Sequence, residues 1–369
     1  MAKLTDLCDI QYGYAFDSGA FTDDESYPQL VRIRDVKRGY SETYYNGEYP
    51  EEYVLSAGDL LIGMDGEFNI ARWKVDGALL NQRVCKIIAK DNADEEFLRF
   101  ALSKALKAIE DRTSFATVKH LSAKELNKLE IPVPSYEEQK KISEILHRIE
   151  GIIEFRQNEM DSLDNLIKAR FVEMFGDIKD YCEVGYYIKS LTAGKSLAGE
   201  AECENKVLKT GAASFDYFDA TQVKNLPLDY EPQAEHLVEA GDIIISRMNT
   251  AELTGAAAYV WDVQENVYLP DRLWKANLNE ECNPIFVWQM LIQPSTKEQI
   301  RRECSGTSGS MKNISKPGML AIKVKRVPID LQNQFAGFVK QVDKSKVAVQ
   351  KALNEARLLF DSLMQEYFG

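Results

Sequence analysis

Ala193-Gly194-Lys195-Ser196 ends like a phosphate-binding loop. Such a loop cradles phosphates in backbone N–H groups and needs another glycine five residues before Gly194. Lys189 stands there, so nucleotide binding is not expected. The histidines, His120, His147 and His236, have no recognisable nucleophile or carboxylate partner in sequence. No hydrolase constellation emerges. The cysteines are Cys8, Cys85, Cys182, Cys203, Cys282 and Cys304. None forms a CxxC pair and the histidines lie far from them, so a zinc site is not expected. Free thiols in a reducing compartment are the plain reading.

Asn283-Pro284-Ile285-Phe286 faintly resembles the Asn-Pro-Pro-Phe loop of adenine methyltransferases. Those enzymes also need a Gly-rich cofactor loop after a strand, and none is present. Asn as the cap of a helix with Pro in its first turn explains the segment better. The chain therefore reads as non-catalytic, without cofactor or metal of its own.

The elements around these residues are written twice. Ile10-Gln11-Tyr12-Gly13-Tyr14-Ala15-Phe16 matches Leu191-Thr192-Ala193-Gly194-Lys195-Ser196-Leu197. Ala57-Gly58-Asp59-Leu60-Leu61-Ile62 matches Ala240-Gly241-Asp242-Ile243-Ile244-Ile245. Leu80-Asn81-Gln82-Arg83-Val84-Cys85-Lys86 matches Leu269-Pro270-Asp271-Arg272-Leu273-Trp274-Lys275. Thr113 to Ser122 resembles Thr307 to Ser315 with one deletion. Each match is weak alone, but their shared order points to a duplication.

Each half then runs through a Pro-containing strand, Leu129 to Pro134 or Val324 to Pro328, into a long helix. Both helices carry a heptad seam. It runs Ile142, Leu146, Ile149, Ile153, Arg156, Met160, Leu163, Ile167, Arg170 and Met174 in the first. In the second it runs Phe335, Val339, Val342, Lys346, Val349, Leu353, Ala356, Phe360, Leu363 and Tyr367. A sustained 3.5-residue period predicts a left-handed coiled coil. Arg and Lys at seam positions would set register or pair with acidic neighbours. The globular parts read as mixed, α+β. Short strands are expected at Val31–Arg34, Asp59–Gly63, Asp242–Ser246 and Tyr259–Trp261, and helices at Glu95–Ile109 and Pro284–Arg302.

This arrangement resembles the specificity subunits of type I restriction-modification systems, the HsdS family, over essentially the whole chain. The most specific elements are the Thr-Ser or Thr-Gly segment ending in Lys-x-[Leu/Ile]-Ser, the strand with prolines, and Pro134-Ser135-Tyr136-Glu137-Glu138-Gln139-Lys140-Lys141-Ile142 leading into the helix. The second copy, Pro328 to Phe335, keeps Pro, Gln and an apolar anchor but lacks the Glu pair. The resemblance implies target recognition domains at 1–135 and 178–328, and spacer helices at 136–177 and 329–369. The helices would pair antiparallel within one chain, giving a pseudo-twofold repeat. Partners would be double-stranded DNA, two methyltransferase subunits and restriction subunits. S-adenosylmethionine, ATP and Mg would belong to those partners.

Candidate DNA contacts are then basic, aromatic and amide residues of the globular parts. In the first half these are Arg32, Arg34, Lys37, Arg38, Tyr44, Tyr45, Asn69, Arg72, Lys74, Asn81, Gln82, Arg83 and Lys119. In the second they are Lys209, Lys224, Arg247, Asn249, Arg272, Lys275 and Lys312. Arg forks onto guanine edges and phosphates, and Asn or Gln reads adenine. Lys119 and Lys312 hold equivalent positions, which suits a shared phosphate contact.

The 369-residue chain has a formal net charge of −13. That argues against a protein that coats DNA nonspecifically and favours one rival, a duplicated coiled-coil adaptor that never binds DNA. Another rival is the recognition end of a fused restriction-methyltransferase. No stretch approaches a membrane span and the first residues lack a signal-peptide core, so a cytoplasmic location is expected.

Overall fold

The computed structural model describes residues 1–112, 119–306 and 311–369. It divides into two compact units. One comprises Met1–Asn158 with Gln350–Gly369, the other Glu159–Val349. The matched stretches Thr113 to Val118 and Thr307 to Ser310 lie outside the described residues.

The first unit is built on a four-stranded antiparallel sheet in the order Cys8–Tyr12, Val84–Ala89, Leu60–Gly63, Ile70–Arg72. Side chains alternate across a strand. Leu60 and Ile62 therefore enter one core with Cys85, Ile87 and Phe97, while Leu61 and Val84 enter another with Val31, Leu55 and Trp73. Burial on both faces explains the unbroken apolar run Leu60-Leu61-Ile62. The first core is closed by helix α1 (Glu95–Arg112), whose Phe97, Leu98, Ala101 and Leu102 face the sheet. Asp94 caps α1 by accepting from Phe97 N at 2.9 Å, and Glu95 and Glu96 complement the helix dipole. A short helix α2 (Ala123–Asn127) follows, held by a Ser122–Glu125 capping box. The Glu130–Ile131 strand then pairs with Ala2–Lys3 and leads into α3 (Tyr136–Phe175).

The second unit repeats this. Its sheet runs Ile188–Ala193, Leu273–Leu278, Ile243–Ser246, Ala257–Tyr259. Ile243 and Ile245 enter one core and Ile244 another. Asn283 caps α4 (Pro284–Leu291), accepting from Ile285 N at 3.1 Å, so the methyltransferase-like tetrapeptide is a helix start. The expected single helix Pro284–Arg302 is two helices. Gln293 is extended and Pro294 begins α5 (Pro294–Glu303), because the residue before a proline avoids the helical region. Helix α6 (Lys316–Ala321) and the Lys323–Lys325 strand lead into α7 (Ile329–Phe368).

Two of the expected strands are also redrawn. At Val31–Arg34 the paired strand is Leu30–Val31, and Ile33–Asp35 is a 3-10 turn. Buried Asp35 causes this, accepting from Arg32 N at 3.1 Å and folding the chain back. At Tyr259–Trp261 the strand is Ala257–Tyr259.

The Ala-Gly-Asp repeat now has a physical reason. Gly58 and Gly241 have φ of +100° and +101°, which favours glycine. The following aspartates close the turns: Asp59 accepts from Ser56 N at 2.9 Å, and Asp242 from Glu239 N at 2.8 Å. Each then pairs with a lysine of the neighbouring strand, Lys86 at 2.8 Å and Lys275 at 3.6 Å. Burial pushes the Asp242 carboxyl above its ordinary value, and Lys275 opposes that.

Both long helices have 40 residues, and no seam position is exposed. Pairing is antiparallel within each unit. In the first, Leu146 meets Met364 and Arg357 donates to Gln157 at 3.2 Å. In the second, Lys346 reaches Asp164 at 2.6 Å and Phe335 packs edge-on to Phe171. Lys346 thus pairs with an acidic neighbour. Arg170, also on the seam, pairs with Glu173 at 2.8 Å and lies over the Phe338 ring. Among the described residues no helix is long and apolar enough to cross a membrane.

Candidate nucleic-acid interface

In the first unit the exposed candidates gather where the Leu60–Gly63 strand ends. Met64 N donates to Arg83 O at 2.8 Å, Leu121 N to Met64 O at 2.7 Å, and Gly66 N to Lys119 O at 2.9 Å. These bonds bring Arg83, Lys119 and His120 to the turn that carries Asn69. Ile33 packs on Gly63, which sets Arg32 and Arg34 beside the same strand end. Lys74 belongs nearby, since its N donates to Gly39 O at 3.0 Å. Arg32, Arg34, Lys37, Arg38, Lys74, Gln82 and Arg83 are all exposed. Their ion pairs are loose: Arg34–Asp35 and Arg38–Glu42 are each 3.8 Å. The exposed Arg38–Glu42 pair contributes little, and the Arg34 guanidinium is itself exposed beside the buried Asp35, so both can turn to a phosphate or base edge.

Arg83 has φ of +71°. This left-handed backbone aims its side chain at Asp65, 3.6 Å away, and at His120 Nδ1, 3.3 Å away. His120 Nδ1 is also hydrogen-bonded to Asp65. Sequence reading left Asp65 and His120 unassigned, because 55 residues separate them. Lys119 pairs with Glu110 at 3.1 Å.

Other candidates serve the framework. Arg72 is clamped by Glu95, Glu96 and the Gly58 carbonyl at 2.6, 2.6 and 2.7 Å. Asn81 is buried and its Oδ1 accepts from Gln82 N at 2.9 Å. Tyr45 is 5% exposed, in a cluster with Phe16, Leu30 and Leu79. Tyr44 is half-buried in a strand pair with Thr22.

The second unit forms the same strand end. Arg247 N donates to Arg272 O at 3.1 Å and Ile314 N to Arg247 O at 3.1 Å, so Arg247 and Arg272 occupy the places of Met64 and Arg83. Asn249 pairs across to Lys312 and donates to Ser214 Oγ at 3.1 Å. Arg247 lies over the Trp274 ring, 5.6 Å from its centroid. Lys209 and Arg272 are exposed, and Lys224 is half-buried on the Val223–Asn225 strand. Lys275 is taken up by the framework, donating to Leu237 O at 2.6 Å as well as pairing with Asp242. Sequence reading also passed over Phe215 and Tyr217, two exposed rings beside Ser214.

No group of three or more metal-binding side chains occurs among the described residues. Burial pushes the Cys8 and Cys85 thiols up to about 12, which makes them inert rather than nucleophilic.

Comparison with known proteins adds to this geometry. Residues 1–165 match the family described as type I restriction modification DNA specificity domain. The chain is similar to the type I restriction enzyme EcoBI specificity subunit of Escherichia coli, 39% identical over 167 residues, covering 45% of this chain and 35% of that protein. It is also similar to the MjaVIII specificity subunit of Methanocaldococcus jannaschii, 23% identical over 333 residues, covering 82% of this chain and 78% of that one. The chain therefore spans about a third of the EcoBI subunit's length. Its fold is that of the S subunit of a type I restriction-modification system from M. genitalium, with TM-score 0.59, 16% identity, and coverage of 100% of this chain and 95% of that one.

Proposed function

We propose that this chain, whose residues 1–165 match the type I restriction modification DNA specificity domain, is a specificity subunit of that kind, a DNA-reading subunit without chemistry of its own. Each unit reads one half of a bipartite site. The paired helices set the distance between half-sites and dock two methyltransferase subunits, through which motor-nuclease subunits join. S-adenosylmethionine, ATP and Mg then act on those partners, in the cytoplasm where the DNA lies. A base must leave the stack to be methylated, and that work also falls to the methyltransferase.

The observation that carries this reading is the duplicated strand end. Two copies of one scaffold present different exposed or half-buried Arg, Lys, Asn and Gln side chains at the same place. Phosphate contacts position a protein on DNA, while base contacts specify the sequence. A scaffold held constant with a varied rim suits that division. The acidic total is reconciled by where the cations stand, since local charge decides nucleic-acid contact.

Methylation mapping of a host with and without this gene tests the reading. The expected result is one bipartite motif that appears only with the gene. Unchanged methylation in a host that also carries its methyltransferase would sink it. Methyl transfer from labelled S-adenosylmethionine by the rigorously purified chain would refute the non-catalytic part.

A further inference from the structure

The second unit carries a loop tip that the reading above leaves unused. Phe215 and Tyr217 are 63% and 56% exposed, and their rings stack with centroids 6.4 Å apart. Between them Asp216 has φ of +64°, a left-handed backbone that costs a non-glycine residue. Three anchors hold it there. Its Oδ1 accepts from Ala257 N at 3.2 Å, its Oδ2 is ion-paired with Lys297, and its carbonyl accepts from Trp288 Nε1 at 3.3 Å. Trp288 stands on α4 and Lys297 on α5. The strained turn is thus tied to rigid elements, and its outcome is two large rings turned into solvent. Two neighbouring exposed rings make a small apolar patch, which is the informative kind of exposure.

Position and repetition point to DNA. Ser214, next to Phe215, receives the hydrogen bond from Asn249, which pairs across to Lys312. Lys209 caps the 3-10 turn Thr210–Ala213, which ends at Ser214. The first unit has this turn too. Its left-handed residue stands seven places after the residue that caps the turn, 32 to 39 against 209 to 216. There Gly39 is flanked by Arg38 and Tyr40, both exposed. One backbone device with different flanking side chains is what readers of different half-sites need.

We propose that Phe215 and Tyr217 are the apolar contacts of the second unit to the bases of its half-site, with Asp216 as the positioning residue that aims them. Aromatic rings pack on thymine methyls, stack on bases and wedge into base steps. This assignment rests on the DNA-reading function proposed above.

The test expresses the full chain with its methyltransferase subunits in a host that lacks this modification. Wild type is compared with Phe215→Ala/Tyr217→Ala, Asp216→Ala and Asp216→Asn, by methylome sequencing and by duplex affinity of the purified complexes. The double variant is expected to assemble and melt like wild type. It should bind its site roughly tenfold or more weakly, and relax or lose one half-site while the other holds. Asp216→Ala should weaken the same half-site, and Asp216→Asn, which tolerates the left-handed backbone and keeps an acceptor, should recover part of it. Unchanged affinity and motif in the double variant would overturn the assignment. So would a folded double variant that no longer assembles, which would make the tip a protein-docking surface. A wild-type complex that leaves no sequence-specific mark would defeat the DNA-reading function itself, and this assignment with it.

Discussion

Gln139 and Gln332 are each 1% exposed and do one job in the two copies. Gln139 accepts from Asp94 N at 2.9 Å and donates to Asn92 O and Pro134 O at 3.3 and 3.1 Å. Gln332 accepts from Asn283 N at 3.0 Å and donates to Val327 O at 2.8 Å. Each latches the start of a long helix to the start of a domain helix. This is why Gln survives in the second copy although the Glu pair does not. Gln139→Ala strands buried backbone groups and should cost about 1–3 kcal/mol, read as a lower urea midpoint with an unchanged slope. Candidate contacts can be sorted in the same way. Arg32→Gln and Arg34→Gln should leave the melting temperature alone and weaken DNA binding, and any that touches a phosphate should lower the salt slope by about 1. Arg72→Gln should lower the melting temperature instead, because its partners are Glu95 and Glu96. If Arg72→Gln weakened only DNA binding, the framework assignment would be wrong.

At the scale of elements, a chain of charges ties sheet to helix to helix in the first unit. Arg72 meets Glu96, Glu96 meets Arg99 at 2.8 Å, and Arg99 meets Glu150 of α3 at 2.6 Å. Burial alone would raise the Glu96 carboxyl, but hydrogen bonds and charge from Arg99 and Arg72 outweigh it and hold it below its ordinary value. A depressed carboxylate stabilises the fold above its unfolded value of about 4.3 and loses that contribution as pH falls through the folded value. Glu96→Gln should therefore melt lower than wild type at neutral pH, with the gap narrowing below about pH 4. A gap that widens in acid would contradict the network. The seam also does more than pair helices. Val342 belongs to the main core of the second unit with Phe335 and Val339. Val342→Asp buries an unpaired charge at a cost of several kcal/mol. It should unfold that unit, seen as lost protection in hydrogen exchange across α4, rather than only loosen assembly.

At the scale of the whole molecule, each unit has its own sheet and its own cores, while α3 and α7 each contribute to both. Replacing residues 178–328 with those of a relative should change one half-site and keep the other, read by methylome sequencing. A swap that rewrites both half-sites would end the two-reader proposal. The antiparallel pairing adds a requirement for spacer engineering. A heptad added to α3 alone would put its seam out of step with α7. Matched insertions near Asn158 and Gln350 should keep both half-sites and alter only the spacer.

The sequence by itself determined the duplication, the heptad seam and the mixed fold class, because each is a periodic or ordered pattern along the chain. The seam followed directly from spacing, since a helix maps 3.5-residue periodicity onto one face. A short capping signal was also readable at Asn283, where donor and acceptor lie within a turn. Only the tertiary structure decided which polar residues the framework leaves unclaimed. Arg72 and Lys275 look like Arg83 and Lys209 in sequence, yet their partners, Glu95 and Leu237, are 23 and 38 residues away. Tyr45 became core only when Phe16 and Leu79 closed over it. The Asp216 turn depends on Ala257, Trp288 and Lys297, 41, 72 and 81 residues downstream. A residue's freedom to meet a ligand is set by what the fold has already paired it with, and those pairings are long-range.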